Sequence, residues 1–245
     1  MKKNLNKFLI ITAVGAVIFG TLTFLFRNSE HDALCNSDKL CGFYEYIKVD
    51  LLRLDVSIIP YDGEQIRVVY KNDLPLEIEF GDNSMTISES EKFVVSLFSR
   101  NTEDFGLQLY LPRRKYREIS VYTGQGNVNV KKIDCGLITL ITENGNITCE
   151  ELSSQANIST TKGFISLDIE QLTKNISLIS RKGNAEVFLP KTASAAIDFE
   201  TATGKCECAI TGTILTSRRV LGINGGEKTI FAEIQEGTIK IKERK

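Results

Sequence analysis

Six glycines punctuate the stretch from Ile119 to Ile241, at Gly126, Gly145, Gly163, Gly183, Gly204 and Gly237. The first five stand 18 to 21 residues apart, and the last follows after 33. A recurring unit of this length marks a solenoid, because one short unit cannot bury its own apolar face and must stack on its neighbours. Seven residues before the glycines stand Ile119, Ile138, Ala156, Ile176, Ile197 and Ile230, and five before stand Val121, Leu140, Ile158, Leu178, Phe199 and Ala232. Two after stand Val128, Ile147, Ile165, Ala185, Cys206 and Ile239, and four after stand Val130, Cys149, Leu167, Val187, Cys208 and Ile241. All 24 positions are apolar, with mostly polar residues between them. That alternation predicts strand, corner, strand in each unit, with every second side chain buried on both arms. Three residues before the glycine stands Thr123, Thr142, Thr160, Ser180 or Thr201; the last unit has Ile234. A hydroxyl there can bond the backbone of a tight corner, and the glycine can adopt a positive φ that a Cβ would oppose.

Each unit could be a closed hairpin or an arc whose arms pair with neighbouring units. A lone amphipathic hairpin leaves its apolar face in water, so the near-constant spacing favours stacking. The expected fold is therefore all-β, a single-stack β-solenoid of ~20-residue coils. An antiparallel sandwich or meander is the alternative. Leu111-Pro112 and Leu189-Pro190 each end a strand-like run 14 residues before a repeat glycine, and proline suits the edge of a coil. Residues 43–112 are strand-rich but lack the glycine mark, and read as irregular N-terminal coils or a capping sheet ahead of the glycine-marked repeats of 113–245. Leu97 to Phe105 reads as a loop. The charged tail Lys240-Ile-Lys-Glu-Arg-Lys suits an edge strand that must resist pairing with other chains.

The other constraining feature is Phe8 to Phe26, 19 residues without a charge. About 20 apolar residues span a hydrocarbon core as a helix. A cleaved secretory signal has a shorter core and a small-residue exit, whereas Phe24-Leu-Phe-Arg-Asn28 is bulky. An uncleaved transmembrane signal anchor over residues 8–26 is the expectation. Lys2, Lys3 and Lys7 precede it, and Glu30 and Asp32 follow Arg27, so residues 1–7 are expected in the cytoplasm and all after residue 27 outside. Residues 27–42 would form a tether to a body over 43–245. Asp32-Ala-Leu-Cys35 does not make a lipidation site, because the acid is wrong and the cysteine lies too far beyond the apolar run.

Few residues carry reaction chemistry. His31 is the single histidine, which leaves little for a histidine base or a histidine-rich metal site. Residues after 27 carry 26 of the 30 Lys+Arg against all 31 acids, about −5 overall, a poor balance for nucleic acid. Glu150, Asp168, Glu186 and Glu207 are the candidates for the paired carboxylates of a polysaccharide-acting β-helix enzyme, a third reading of the chain, but they shift register between units. No cofactor motif appears. Cys149, Cys206 and Cys208 fall on inward positions and read as small core hydrophobes, while Cys35 and Cys41 in the tether could form a local disulfide. Arg113, Arg114, Lys115 and Arg117 form the densest basic run, either a patch for an anionic ligand or a solvated coil corner. Asn127, Asn146 and Asn184 directly follow repeat glycines and could hydrogen-bond along the corner. The glycosylation-like triplets at Asn146, Asn157 and Asn175 read as by-products of the repeat.

The run Leu54-Asp-Val-Ser-Ile-Ile-Pro, then Leu109-Tyr-Leu-Pro, then recurring Ser/Thr-x-x-Gly-x-apolar units resembles the DUF4097 family over residues 43–245. The resemblance implies a β-solenoid, often tethered at the bacterial surface and described as an adhesin. It supplies no catalytic residues. Together these readings lead to a membrane-anchored, non-enzymatic adhesion, interaction or display module. Its expected partners are the lipid bilayer through residues 8–26, an unidentified surface ligand or membrane protein, and further copies through the solenoid ends. An accessory of envelope-stress sensing that contacts a membrane partner is the second reading.

Overall fold

A computed structural model describes residues 44–70, 76–89 and 106–244, and the backbone of residues 32–34. The apolar span 8–26, most of the tether with Cys35 and Cys41, and the loop at 97–105 lie outside the described residues. Among the described residues there is no helix, and so none long and apolar enough to cross a membrane.

Nineteen strands form one hydrogen-bonded sheet system. In chain order they are β1 (Asp32–Leu34), β2 (Tyr46–Leu51), β3 (Asp55–Tyr61), β4 (Arg67–Val69), β5 (Leu76–Phe80), β6 (Ser84–Glu89), β7 (Gly106–Pro112), β8 (Tyr116–Gln125), β9 (Val128–Val130) and β10 (Cys135–Asn144). There follow β11 (Ile147–Leu152), β12 (Gln155–Ile169), β13 (Ile176–Leu189), β14 (Ala195–Thr201), β15 (Lys205–Cys208), β16 (Thr213–Leu215), β17 (Arg219–Ile223), β18 (Lys228–Glu236) and β19 (Thr238–Glu243). Each rung has a first arm, a corner and a second arm; β12 and β13 run unbroken through their corners. Like arms pair in parallel from rung to rung, as the repeat predicts.

The first arms make one sheet in the order β5, β6, β2, β8, β10, β12, β13, β18, β14, β17. The second arms make another in the order β1, β4, β7, β3, β9, β11, β12, β13, β19, β15, β16. The core lies between them. Val121, Leu140, Ile158 and Leu178 from the first sheet and Val128, Ile147, Ile165 and Ala185 from the second are all fully or almost fully buried.

Rung order departs from chain order at both ends. The β18–β19 unit sits between β13 and the β14–β15 unit, so the 33-residue gap before Gly237 marks an insertion into the stack. The β2–β3 unit likewise sits between the β6–β7 and β8–β9 rungs. The outermost strands, β1, β4 and β5 at one end and β16 and β17 at the other, run antiparallel to their neighbours.

The corner glycines are required by a close approach more than by a positive φ. Gly126 and Gly145 do not have positive φ, yet a Cβ on Gly126 would lie 2.1 Å from the Leu54 carbonyl oxygen, and one on Gly145 would lie 1.9 Å from that of Gly126. The same stacking gives 1.8 Å at Gly163 and 1.7 Å at Gly237. Hydroxyls tie successive corners together: Thr123 Oγ1 donates to Leu54 O at 3.0 Å, Thr142 Oγ1 to Gly126 O at 2.9 Å and Thr160 Oγ1 to Gly145 O at 3.2 Å.

Candidate interaction surface

The side chains between the buried ladders point outward and form each sheet's outer face. On the first sheet, rungs β8, β10, β12 and β13 place three outward rows in register. One is Ser120, Thr139, Asn157 and Ser177; the next is Tyr122, Ile141, Ser159 and Ile179; the third is Glu118, Leu137, Gln155 and Asn175. Eleven of these twelve residues are uncharged, in a chain whose charged fraction is 25%. Ile141 and Ile179 are 37% and 39% exposed, with Ser159 on the rung between them. Tyr122 Oη donates to Glu143 Oε1 at 2.9 Å, and Asn175 Oδ1 accepts from the Thr229 backbone N–H at 3.0 Å. Charge returns on both sides of this panel, with Lys48 and Asp50 on β2 and Glu233, Asp198 and Glu200 on β18 and β14.

The second sheet's outer face differs. Its outward rows on the same four rungs include Lys131, Glu150, Asp168 and Glu186, and all four are ion-paired. Lys131 pairs with Glu150 at 3.8 Å, Arg244 with Asp168 at 2.7 Å and Lys242 with Glu186 at 2.7 Å. Exposed pairs of this kind add little stability but keep a face solvated. A shallow cleft of about 300 Å³ lies further along it, lined by Phe164, Asn184, Glu186, Lys205, Glu207 and Lys240 among others.

The basic run lies on the connections that close the coils. Arg113, Arg114 and Lys115 share the turn between β7 and β8, beside a cleft of about 250 Å³ lined also by Pro60, Pro112, Lys132, Ile133 and Asp134. Buried Tyr116 fixes that turn by donating from Oη to Pro112 O at 2.9 Å. Much of the positive charge is matched locally. Arg113 Nε lies 2.8 Å from Asp62 Oδ1, Arg117 Nε lies 2.5 Å from Glu45 Oε2, and Lys132 Nζ lies 2.8 Å from both Glu151 and Glu170. These two carboxylates hold the Lys132 ammonium above the usual lysine range, and Lys132 in turn lowers Glu151.

The asparagines form a ladder from side chain to backbone. Asn127 N–H donates to Asp55 Oδ1 at 2.6 Å, Asn146 N–H to Asn127 Oδ1 at 2.9 Å, Phe164 N–H to Asn146 Oδ1 at 2.8 Å and Thr238 N–H to Asn184 Oδ1 at 2.9 Å. Their amides join rungs. Cys135, Cys149, Cys206 and Cys208 are buried and free. Burial pushes the Cys149 and Cys206 thiols up to about 12 and Cys135 up to about 11, where a thiolate nucleophile is absent at neutral pH. Among the described residues no group of three or more His, Cys, Asp or Glu could hold a metal ion.

Reading the chain for buried ladders passed over the neutral panel. Its signal was in the repeat: six residues before four successive glycines stand Ser120, Thr139, Asn157 and Ser177.

Stacked rungs, a glycine-packed corner and parallel arms around a shared core define a curled, solenoid-like β-sheet repeat. The family model described as Toastrack DUF4097 matches residues 44–148 and again residues 136–242, and the chain belongs to this family. Among solved structures, it is similar to a putative cell adhesion protein from Clostridium sporogenes, at 18% identity over 82% of this chain and 94% of that one, with a TM-score of 0.47. It is also similar to a putative adhesin from Bacteroides fragilis, at 13% identity over 81% of this chain and 93% of that one, with a TM-score of 0.36. A putative lipid binding protein from Parabacteroides distasonis matches at 11% identity over 83% and 94% of the two chains, with a TM-score of 0.25. No curated protein matches the chain.

Proposed function

We propose that this protein is a non-enzymatic interaction module, held on the outer side of a membrane by residues 8–26 and presenting its solenoid to a surface ligand. The observation that carries this reading is the nearly uncharged panel on the first sheet, where Glu118 is the one charged residue of twelve. A face kept only for solubility gains from charge, as the second sheet's does. Three rows on four consecutive rungs that carry a single charge, Glu118, and are bordered by charged residues suit a surface that must be desolvated by a partner. The run of 19 uncharged residues after Lys2, Lys3 and Lys7 supports the tethering and its orientation.

Two measurements test the reading. With a C-terminal epitope on the full chain, protease added to intact cells should remove the epitope, and deletion of residues 8–26 should release the body from the membrane fraction. An epitope protected until lysis would overturn the topology. Isolated cell envelope from the source organism should retain the purified full chain, and Ile141→Glu with Ile179→Glu should abolish retention. Equal retention of that variant and the parent would remove the panel as the contact surface.

A further inference from the structure

We infer that the neutral panel binds an extended, uncharged, β-linked polysaccharide running along the solenoid axis, across the strands. This names the ligand class for the surface proposed above and rests on that reading. The panel offers two kinds of contact side by side. Tyr122, Ile141 and Ile179 give an apolar line, and Ser120, Thr139 and Ser177 give a parallel line of hydroxyls. A sugar ring in an extended chain has the matching pair of features, an apolar C–H face and a rim of hydroxyl groups.

Spacing favours the same ligand. Successive rungs lie about 4.8 Å apart, close to the length of one pyranose in an extended β-linked chain. Ile141 and Ile179 lie two rungs apart, roughly 9.6 Å, with the small Ser159 between. An extended β-linked chain turns over at each sugar, so the same ring face recurs at every second residue. The Ile141–Ile179 step therefore matches the disaccharide repeat, and Tyr122 and Ser159 fall under the intervening sugars, whose opposite ring face is also lined by C–H groups. Charge complementarity points the same way: the panel's one charge is the acidic Glu118, so an anionic polymer would find no cation on it; Glu143 and Arg181 stand on the next outward row, and Glu233, Asp198 and Glu200 stand beyond the far edge. The panel is four rungs wide, which suits a segment of about four sugars.

The test uses the full chain in detergent micelles, with cellohexaose and chitohexaose as probes and maltohexaose and polygalacturonate as controls, followed by calorimetry. The β-linked neutral oligomers should bind, and the α-linked and anionic ones should not. Ile141→Glu with Ile179→Glu should weaken binding by about tenfold or more. Thr148→Glu with Ser166→Glu, on the other sheet, should leave it unchanged. Ser159→Tyr adds a ring at the gap in the apolar line and should tighten binding several-fold, a gain that misfolding cannot produce. No binding by the parent chain, equal binding of α- and β-linked oligomers, or indifference to both panel variants would overturn the inference. Loss of envelope retention by the Ile141/Ile179 variant, together with no glycan binding by the parent, would leave the interaction surface standing and remove only its ligand class.

Discussion

At the corner, a single hydrogen atom decides whether two rungs can meet. The missing Cβ of Gly145 leaves room for the Gly126 carbonyl oxygen, which would otherwise be 1.9 Å away. That oxygen also accepts the Thr142 hydroxyl and cannot retreat without breaking the bond. Gly145→Ala should destabilise the protein by about 3 kcal/mol or more, beyond ordinary overpacking because the crowded atom is backbone. Gly222 is the control: nothing lies within 4 Å of its ideal Cβ and its φ is not positive, so Gly222→Ala should change stability by no more than about 0.5 kcal/mol. Urea denaturation of both variants measures the contrast, and similar losses would refute the carbonyl-stacking account. The buried cysteines make a second prediction. A thiol whose folded value lies above its unfolded value, near 9, is neutral in both states at low pH, so its contribution is intact there. Above pH 9 the unfolded chain ionises first, and stability falls until the folded thiol titrates near 12. Denaturation midpoints should therefore drop between pH 9 and pH 11, and Cys206→Ala should make that drop shallower.

Element order shows where sequence reading reaches its limit. The ladders, the corner and the parallel pairing follow from period-2 burial and the glycine spacing, because these are local properties of each unit. A unit's place in the stack is set by long-range pairing, and its own pattern looks alike wherever it goes. Only the long gap between Gly204 and Gly237 hinted that β18–β19 had been inserted. The missing glycine in the β2–β3 unit has a similar cause. Leu54 occupies the corner position there and offers its carbonyl to Gly126 and Thr123, while β6 and β7, which pair with the unit's other side, are separated in the chain by residues 90–105. Glu89 Oε1 instead accepts the Leu52 and Arg53 backbone N–H groups at 3.0 and 3.3 Å. The outer panel was equally written in the repeat, but burial patterns rank inward positions and leave outward ones unordered. Insertion of β18–β19 also makes an element-scale prediction. Nearest-neighbour stacking means that deleting residues 228–244 removes the shared partner of β13 and β14. Hydrogen exchange should then become fast across β14 to β17 and slow amides should persist from β8 to β12. Uniform loss of protection would show that the stack unfolds as one unit.

Across the whole molecule, the two family matches overlap only at residues 136–148, which lie on β10 and the start of β11. Each match therefore contains one closed end of the stack. The first holds β4 and β5, and the second holds β16 and β17, all running antiparallel to the rungs they cover. Antiparallel end strands stop the parallel ladder from continuing, and β17 adds Arg219 to its edge, which discourages pairing with other strands. Cutting the chain at the overlap would leave each half with one closed end and one bare parallel rung. That rung would expose a full row of unpaired N–H and C=O groups beside a half-open core. Residues 136–244 expressed alone should thus self-associate through β10 and β11, giving dimers or larger species by light scattering, while residues 44–244 stay monomeric. Lysines in place of Ile141 and Thr139 on the bare rung should shift the half-chain toward monomer, since inserted charge blocks edge pairing. A monodisperse half-chain would mean that the bare rung is harmless, and that the antiparallel ends serve some purpose other than closing the stack.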